Sequence, residues 1–273
     1  MEKTEGRGEY AGFLISFLLF TLLLLACTAA IHIFSVKYIH NGTTYFSKFW
    51  EETFSLLYGY PESESRVLTE ATTDLITDAP LIIIDAGHGG EDGGTTGVNG
   101  VLEKDLNLDI SLLLGEILEA SGARVIYTRT DDRLLYGDAA KGQHKMYDLK
   151  NRLEISRQYP DAVFVSIHMN AFTDARYHGM QVFYSPNNVE SQVLAEKICE
   201  WNHTYLQSDN TRKTKRAASN IYLLHKNENI SVLVECGFLS NVEEAHNLAD
   251  PVYQQKIAAV LCSAIMDYTA SGQ

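Results

Sequence analysis

Cysteine is scarce in this 273-residue chain, and none of its four cysteines pair in a C-x-x-C spacing. That excludes a disulfide-built scaffold and a cysteine zinc knuckle. Basic charge is short too: 22 Lys and Arg face 35 Asp and Glu, a net charge of −13. A general nucleic-acid binder draws its affinity from cations that neutralise phosphates, so that class is excluded as well. There is no internal repeat. A chain of this length can bury a sizeable core without staples.

A more local absence is of charge between Ala11 and Phe34, with a dense apolar centre from Phe13 to Ala26. As a helix this stretch spans roughly 36 Å, enough to cross a hydrocarbon core with tilt. In the head, residues 1–10, Lys3 and Arg7 are cancelled by Glu2, Glu5 and Glu9, so the positive-inside signal is weak. The favoured reading of 11–34 is an uncleaved transmembrane signal anchor. The alternatives are cleavage near Thr28-Ala29-Ala30 and lipidation at Leu24-Leu25-Ala26-Cys27. Each exports the rest of the chain, which places the body on the outer face of the cytoplasmic membrane. Residues 35–79 open with an aromatic-rich stretch, including Tyr45, Phe46, Phe49, Trp50 and Phe54. It reads equally as a helix lying at the membrane interface or one packed on the body. Residues 61–79 are polar and acidic and read as a linker.

From Pro80 onward the pattern alternates. Leu81–Asp85 and Ala162–Ile167 are unbroken apolar runs of the kind buried on both faces of a parallel sheet. Arg124–Thr128, Met180–Tyr184, Ile221–Leu224 and Val232–Val234 read as further strands. Leu106, Ile110, Leu113, Leu114, Ile117 and Leu118 share one helical face that Gly122 terminates. Further helices are expected near Asp148–Gln158 and Val189–Leu206. Ser240 and Glu243 form a capping box for a short helix, and Asp250-Pro251 opens the last one. The expected fold is α/β: one three-layer domain over 80–273, a mostly parallel sheet flanked by helices.

In such sheets reactive groups sit in loops beyond the carboxyl ends of strands. His88 follows the first strand within Asp85-Ala86-Gly87-His88-Gly89-Gly90, His168 follows Val163–Ile167, and Glu235 follows Val232–Val234. Glu103 sits before a helix and could reach the same crevice. Two histidines and a carboxylate make a catalytic zinc set with an open position, and a second carboxylate then serves as base. His88, Glu103 and His168 as ligands with Glu235 as base meet that requirement. Singly each signal is weak, since a histidine after a strand is commonly a hydrogen-bonded structural residue. A phosphate cradle is excluded, because the glycine loop lacks the Lys-Ser/Thr of a P-loop and carries Glu91 and Asp92. Of the remaining histidines only His225, after a short strand, could face the cleft.

Four segments together carry a family resemblance. They are Ile82-Ile83-Ile84-Asp85-Ala86-Gly87-His88-Gly89-Gly90, Glu103-Lys104-Asp105, Ser166-Ile167-His168-Met169-Asn170-Ala171 and Val234-Glu235-Cys236-Gly237-Phe238-Leu239-Ser240-Asn241. In this order they resemble the zinc-dependent N-acetylmuramoyl-L-alanine amidases, the branch called amidase type 3, over about residues 81–269. The resemblance implies Zn2+ held by His88, Glu103 and His168, and Glu235 as acid/base. The implied substrate is peptidoglycan, cut at the amide between N-acetylmuramic acid and the L-alanine of the stem peptide. Ala86 stands where many members have Pro, and Cys236 where many have a small residue; strand alternation turns Cys236 away from Glu235. Asn170 is a candidate to orient a substrate oxygen or to make a structural hydrogen bond. Arg212, Lys213, Lys215 and Arg216 form the one basic run of the body, either a solvated loop or a clamp for stem-peptide carboxylates through Arg216. A compact catalytic body behind an export segment resembles the spore-cortex amidases of endospore formers, with vegetative wall turnover as the alternative; need for an activator protein is not legible. Two other readings remain: a membrane-anchored peptidoglycan-binding module without turnover, and a zinc carboxypeptidase-like metallohydrolase.

Overall fold

The computed structural model describes residues 79–137 and 142–271. The head, the apolar run, the aromatic stretch and nearly all of the linker lie outside the described residues. Among the described residues no helix is long and apolar enough to cross a membrane.

The body folds as one α/β domain. β1 (Leu81–Ala86) leads through the glycine loop to α1 (Glu103–Ala120), followed by β2 (Arg124–Tyr127), α2 (His144–Arg157) and β3 (Val163–Asn170). Then come β4 (Gln181–Tyr184), α3 (Glu190–Tyr205), β5 (Lys215–Arg216), α4 (Tyr222–Lys226), β6 (Ser231–Phe238), α5 (Val242–Leu248) and α6 (Pro251–Ser271). The strands form one sheet in the order β2-β1-β3-β6-β4-β5. All pairings are parallel except β4 with β6. The carboxyl ends of β1, β2, β3 and β6 therefore share one edge of the sheet, and the chemistry-bearing loops collect there.

Alternation along each strand builds a layer on either face. Ile82 and Ile84 pack with Val165, Ile167, Val232 and Val234 against α1, α3 and α6, whose apolar stripes supply Ile110, Leu114, Ile198, Ile257 and Leu261. Ile83 and Phe164 face the other way, onto Leu153 of α2 and Leu223 of α4. Both faces are dry, which is why these strands read as continuous apolar runs. Gly122, at φ +91°, ends α1 as the sequence implies, since a side chain is disfavoured in that left-handed turn.

Four elements differ from expectation, the first being β5, a strand formed by Lys215–Arg216 where the basic run shows no apolar pattern. Ile221–Leu224 is not a strand: Tyr222–Lys226 forms the short helix α4. An apolar run of that length has no periodicity to separate the two. The cap of α5 is displaced by one residue, for Asn241 Oδ1 accepts the Glu244 amide at 3.1 Å. Ser240 Oγ instead accepts the Phe172 amide at 3.0 Å, and the Glu244 carboxylate takes the amides of Phe238 and Gly179. α2 begins at His144, because its first turn is polar and leaves Met146 and Tyr147 exposed, with no apolar stripe to announce it. At α6 the expected start holds: Asp250 Oδ1 accepts the Val252 amide at 2.9 Å, and Pro251 is the first helical residue.

Candidate metal centre

β1 delivers the chain into a loop that runs through left-handed backbone at three consecutive residues. His88 adopts φ +60°, the one non-glycine residue with positive φ among the described residues, and Gly89 and Gly90 follow at +135° and +53°. Two glycines are needed for space. A Cβ on Gly87 would lie 2.2 Å from the His168 ring, and one on Gly94 would lie 2.6 Å from Glu103 Oε2 and 2.8 Å from His88 Cδ2.

The loop, the start of α1 and the end of β3 bring His88, Glu103 and His168 together. One ligand atom from each lies within 4.8 Å of the others. Glu103 Oε1 is 3.2 Å from His88 Nε2 and 3.0 Å from His168 Nδ1, and the two rings meet edge-on with centroids 5.0 Å apart. The Glu103 carboxylate is fixed from behind by the amides of Thr95 at 2.8 Å and Met169 at 3.2 Å. Burial opposes its charge, but the bonds to His168 and His88 outweigh this and hold its carboxyl far below the usual carboxylate range. Burial likewise opposes the charge on His88, yet Glu103 and Asp92 prevail and raise it. Asp92 Oδ1 lies 3.0 Å from His88 Nδ1 and orients the ring. Asp92 stands four residues after His88, but along the chain it counts only as a charge hostile to phosphate.

Glu235 stands beside His168 in the β3–β6 register. It is not one of the three clustered donors. Burial, the first cause, and the nearby Glu103 charge push its carboxyl up to about 7, against the pull of His168 and His88. Its Oε2 is buried and has no partner within the protein. A buried carboxylate oxygen in that state calls for a ligand or water. Cys236, next in the strand, is fully buried in the opposite layer, and burial raises its thiol strongly, so it is no nucleophile.

A cleft of about 640 Å³ opens over these groups. Asn170 lines it just after the bulge that ends β3, with Oδ1 tied to the Ala171 amide at 2.8 Å. The basic run divides across β5. Lys215 and Arg216 face the cleft from the sheet edge, joined by Lys145. Arg212 turns away, donating to the His178 carbonyl at 2.8 Å and lying over the Phe238 ring at 4.6 Å. α4 contributes Tyr222 and Leu223 to the wall, with Ile221 just before it, but not His225.

The comparisons with known proteins agree with this geometry. Residues 82–267 match the family model described as N-acetylmuramoyl-L-alanine amidase. The germination-specific N-acetylmuramoyl-L-alanine amidase of Bacillus subtilis (strain 168) is 36% identical over 190 residues, 69% of this chain and 79% of that protein. The structure of the CwlD amidase from Clostridioides difficile in complex with the GerS lipoprotein superposes with a TM-score of 0.67 at 42% identity, over 70% of this chain and 99% of that one. N-acetylmuramoyl-L-alanine amidase AmiC2 of Nostoc punctiforme gives 0.59 at 31% identity, over 69% and 96%.

Proposed function

The chain belongs to the N-acetylmuramoyl-L-alanine amidase family, and from that premise we propose how its own residues carry out the hydrolysis. It is a peptidoglycan hydrolase that cuts the amide between N-acetylmuramic acid and L-alanine of the stem peptide. The observation that carries the mechanism is the convergence of His88, Glu103 and His168, with Glu235, whose Oε2 has no partner, lining the cleft beside them. Two imidazoles and one carboxylate suit a catalytic zinc, and a second carboxylate, Glu235, is left free, as the chemistry requires. We assign His88, Glu103 and His168 as the residues that would hold Zn2+. When bound there, the ion supplies Lewis acidity, acidifying water and polarising the scissile carbonyl.

Glu235 moves the proton. Its carboxylate accepts a proton from the attacking water as the new C–O bond forms, then gives it to the alanine nitrogen as the C–N bond breaks. A carboxyl group lifted to about 7 is matched to both halves of that task near neutral pH. Asn170 has its oxygen engaged locally, which leaves its amide N–H groups for a substrate oxygen. Arg216, with Lys215 and Lys145, gives the cleft a cationic rim for carboxylates of the stem peptide.

The apolar run at 11–34 supports an exported enzyme anchored with its catalytic domain on the outer face of the cytoplasmic membrane. Similarity to a germination-specific amidase supports a role in remodelling the spore cortex. The Clostridioides difficile relative is seen with a lipoprotein, and a lipoprotein partner for this chain fits the same location.

Mass spectrometry of muropeptides after incubation with the purified protein and zinc tests the bond assignment. Stem peptides with a free N-terminal alanine are expected. Release of a terminal amino acid alone would point to a carboxypeptidase, and unaltered muropeptides to a binding module.

A further inference from the structure

Adjoining the candidate metal ligands is a second, almost wholly buried cluster of charge, of which Asp85, Asp148 and Arg152 border the cleft. Arg129 and Arg152 are each 1% exposed, and Asp85 and Asp148 are buried with them. Burying two guanidiniums is costly, and apolar side chains of similar volume commonly stabilise a core as well or better. What the arginines offer that apolar groups cannot is a planar fork of donors in fixed directions.

Those donors are spent largely on one stretch of backbone. The Ala86 carbonyl accepts from Arg129 Nε at 2.9 Å and Arg152 Nη1 at 2.7 Å. The Gly87 carbonyl accepts from Arg129 Nη2 at 2.9 Å and Asn107 Nδ2 at 3.1 Å. The His88 carbonyl accepts from Arg152 Nη2 at 2.6 Å. Three consecutive carbonyls leading to the left-handed His88 are thus held from behind. The same groups reach the other two ligand-bearing segments. Arg129 Nη2 also donates to the Lys104 carbonyl at 2.8 Å, one residue after Glu103. Asp85 accepts from Arg152 Nη1 at 2.7 Å and from Ser166 Oγ at 2.6 Å, two residues before His168. Asp148 Oδ2 holds Arg152 Nε at 2.8 Å.

We propose that Arg129 and Arg152 are positioning residues that hold the His88 loop in its metal-binding conformation and fix its spacing to Glu103 and His168. Arg129 lies outside the cleft, and Arg152 borders it with a side chain 1% exposed whose three nitrogens are all bonded within the protein. Their effect passes through the backbone, unlike that of Asp92, which orients the His88 ring itself. A lysine in either place keeps the charge but loses the fork, and cannot serve carbonyls in several directions at once.

The inference rests on the metal reading above, so the test uses Co2+ as a spectroscopic probe on the full-length protein and on Arg129→Lys and Arg152→Lys. Metal affinity is measured by chelator competition, and ligand geometry by the visible d–d bands. Loss of outer support commonly weakens metal binding about 10–100-fold. We expect that loss in both variants, with altered d–d bands, in protein that still melts cooperatively without metal, at a lower Tm than wild type because buried carbonyls lose donors. Co2+ affinity within about threefold of wild type in a folded variant would overturn the inference, whatever its Tm. Should a lysine variant fail to fold, Asn107→Leu decides under the same threshold, because it removes one donor from the Gly87 carbonyl. Failure of the metal reading is a separate outcome: wild type itself then binds no Co2+.

Discussion

At the scale of single residues, the proposed roles divide between holding a metal, for His88, Glu103 and His168, and moving a proton, for Glu235. Glu235→Gln keeps the shape but cannot accept a proton. It should retain metal at wild-type stoichiometry while kcat falls by roughly 10²–10⁴-fold. His88→Ala should lose both, which metal analysis beside a turnover assay will separate. Arg216 lies exposed at the cleft edge, so its pairing with a substrate carboxylate is of the weak, solvated kind. Arg216→Ala is therefore expected to raise KM roughly two- to fivefold for peptide-bearing muropeptides, with little change in kcat. An unchanged KM would return Arg216 to the solvated loop. Much at this scale was legible: the four site residues each leave an apolar run or a helix start. Asp92, Arg129 and Arg152 were not, because a charge in a polar segment looks solvated until the packing around it is known.

At the scale of elements, β1 is the frame from which the site is hung. Its carboxyl end carries Asp85, fully buried, bonded to Thr128 and Ser166 and paired with Arg152. Burial raises its pKa, but Arg152 and the Ser166 bond outweigh that and bring it below the usual carboxylate value. A carboxyl group depressed in the folded state stabilises fully above its unfolded pKa of about 3.9, and that contribution is lost as pH falls through the lower folded value. Asp85→Asn leaves the Arg152 guanidinium with Asp148 as its one remaining carboxylate, so the cost should fall below the about 3–5 kcal/mol of a buried charge left wholly unpaired. In chelator, Tm measured from neutral to acid pH should show a large gap between Asp85→Asn and wild type. The gap should narrow as pH falls below about 4, where the unfolded chain takes up a proton that the folded carboxylate still refuses, and close once the folded carboxyl is protonated too. A gap independent of pH would mean the carboxylate is not charged in the folded protein. The elements that depart from the sequence pattern are short. α4 is an apolar run too short to show a period, and the cap of α5 turns on one hydrogen bond to the Glu244 amide, made by Asn241 while Ser240 holds the Phe172 amide.

At the scale of the whole domain, the proposed metal ligands come from three segments far apart in sequence, so metal bound there would couple to folding. Zinc at about 100 times its Kd should stabilise by about 2.7 kcal/mol. For a domain of this size that corresponds to a rise in Tm of roughly 5–11 °C. The measurement is a thermal melt with zinc and with chelator, and His168→Ala should show no such rise. An equal rise in that variant would place the bound ion elsewhere.

The sequence by itself determined the layered α/β architecture, since unbroken apolar runs and 3.6-residue stripes report burial directly. It also marked His88, Glu103, His168 and Glu235, because strand ends in a parallel sheet point to one edge. Only the tertiary structure decided what faces what. It sent Lys215 and Arg216 into the cleft and Arg212 away from it, and it put two buried arginines behind the glycine loop. The physical reason is range. Hydrophobic pattern is local along the chain, whereas these guanidiniums find the carbonyls of the metal-binding segments across 25 to 66 residues of sequence, where no periodicity can register them.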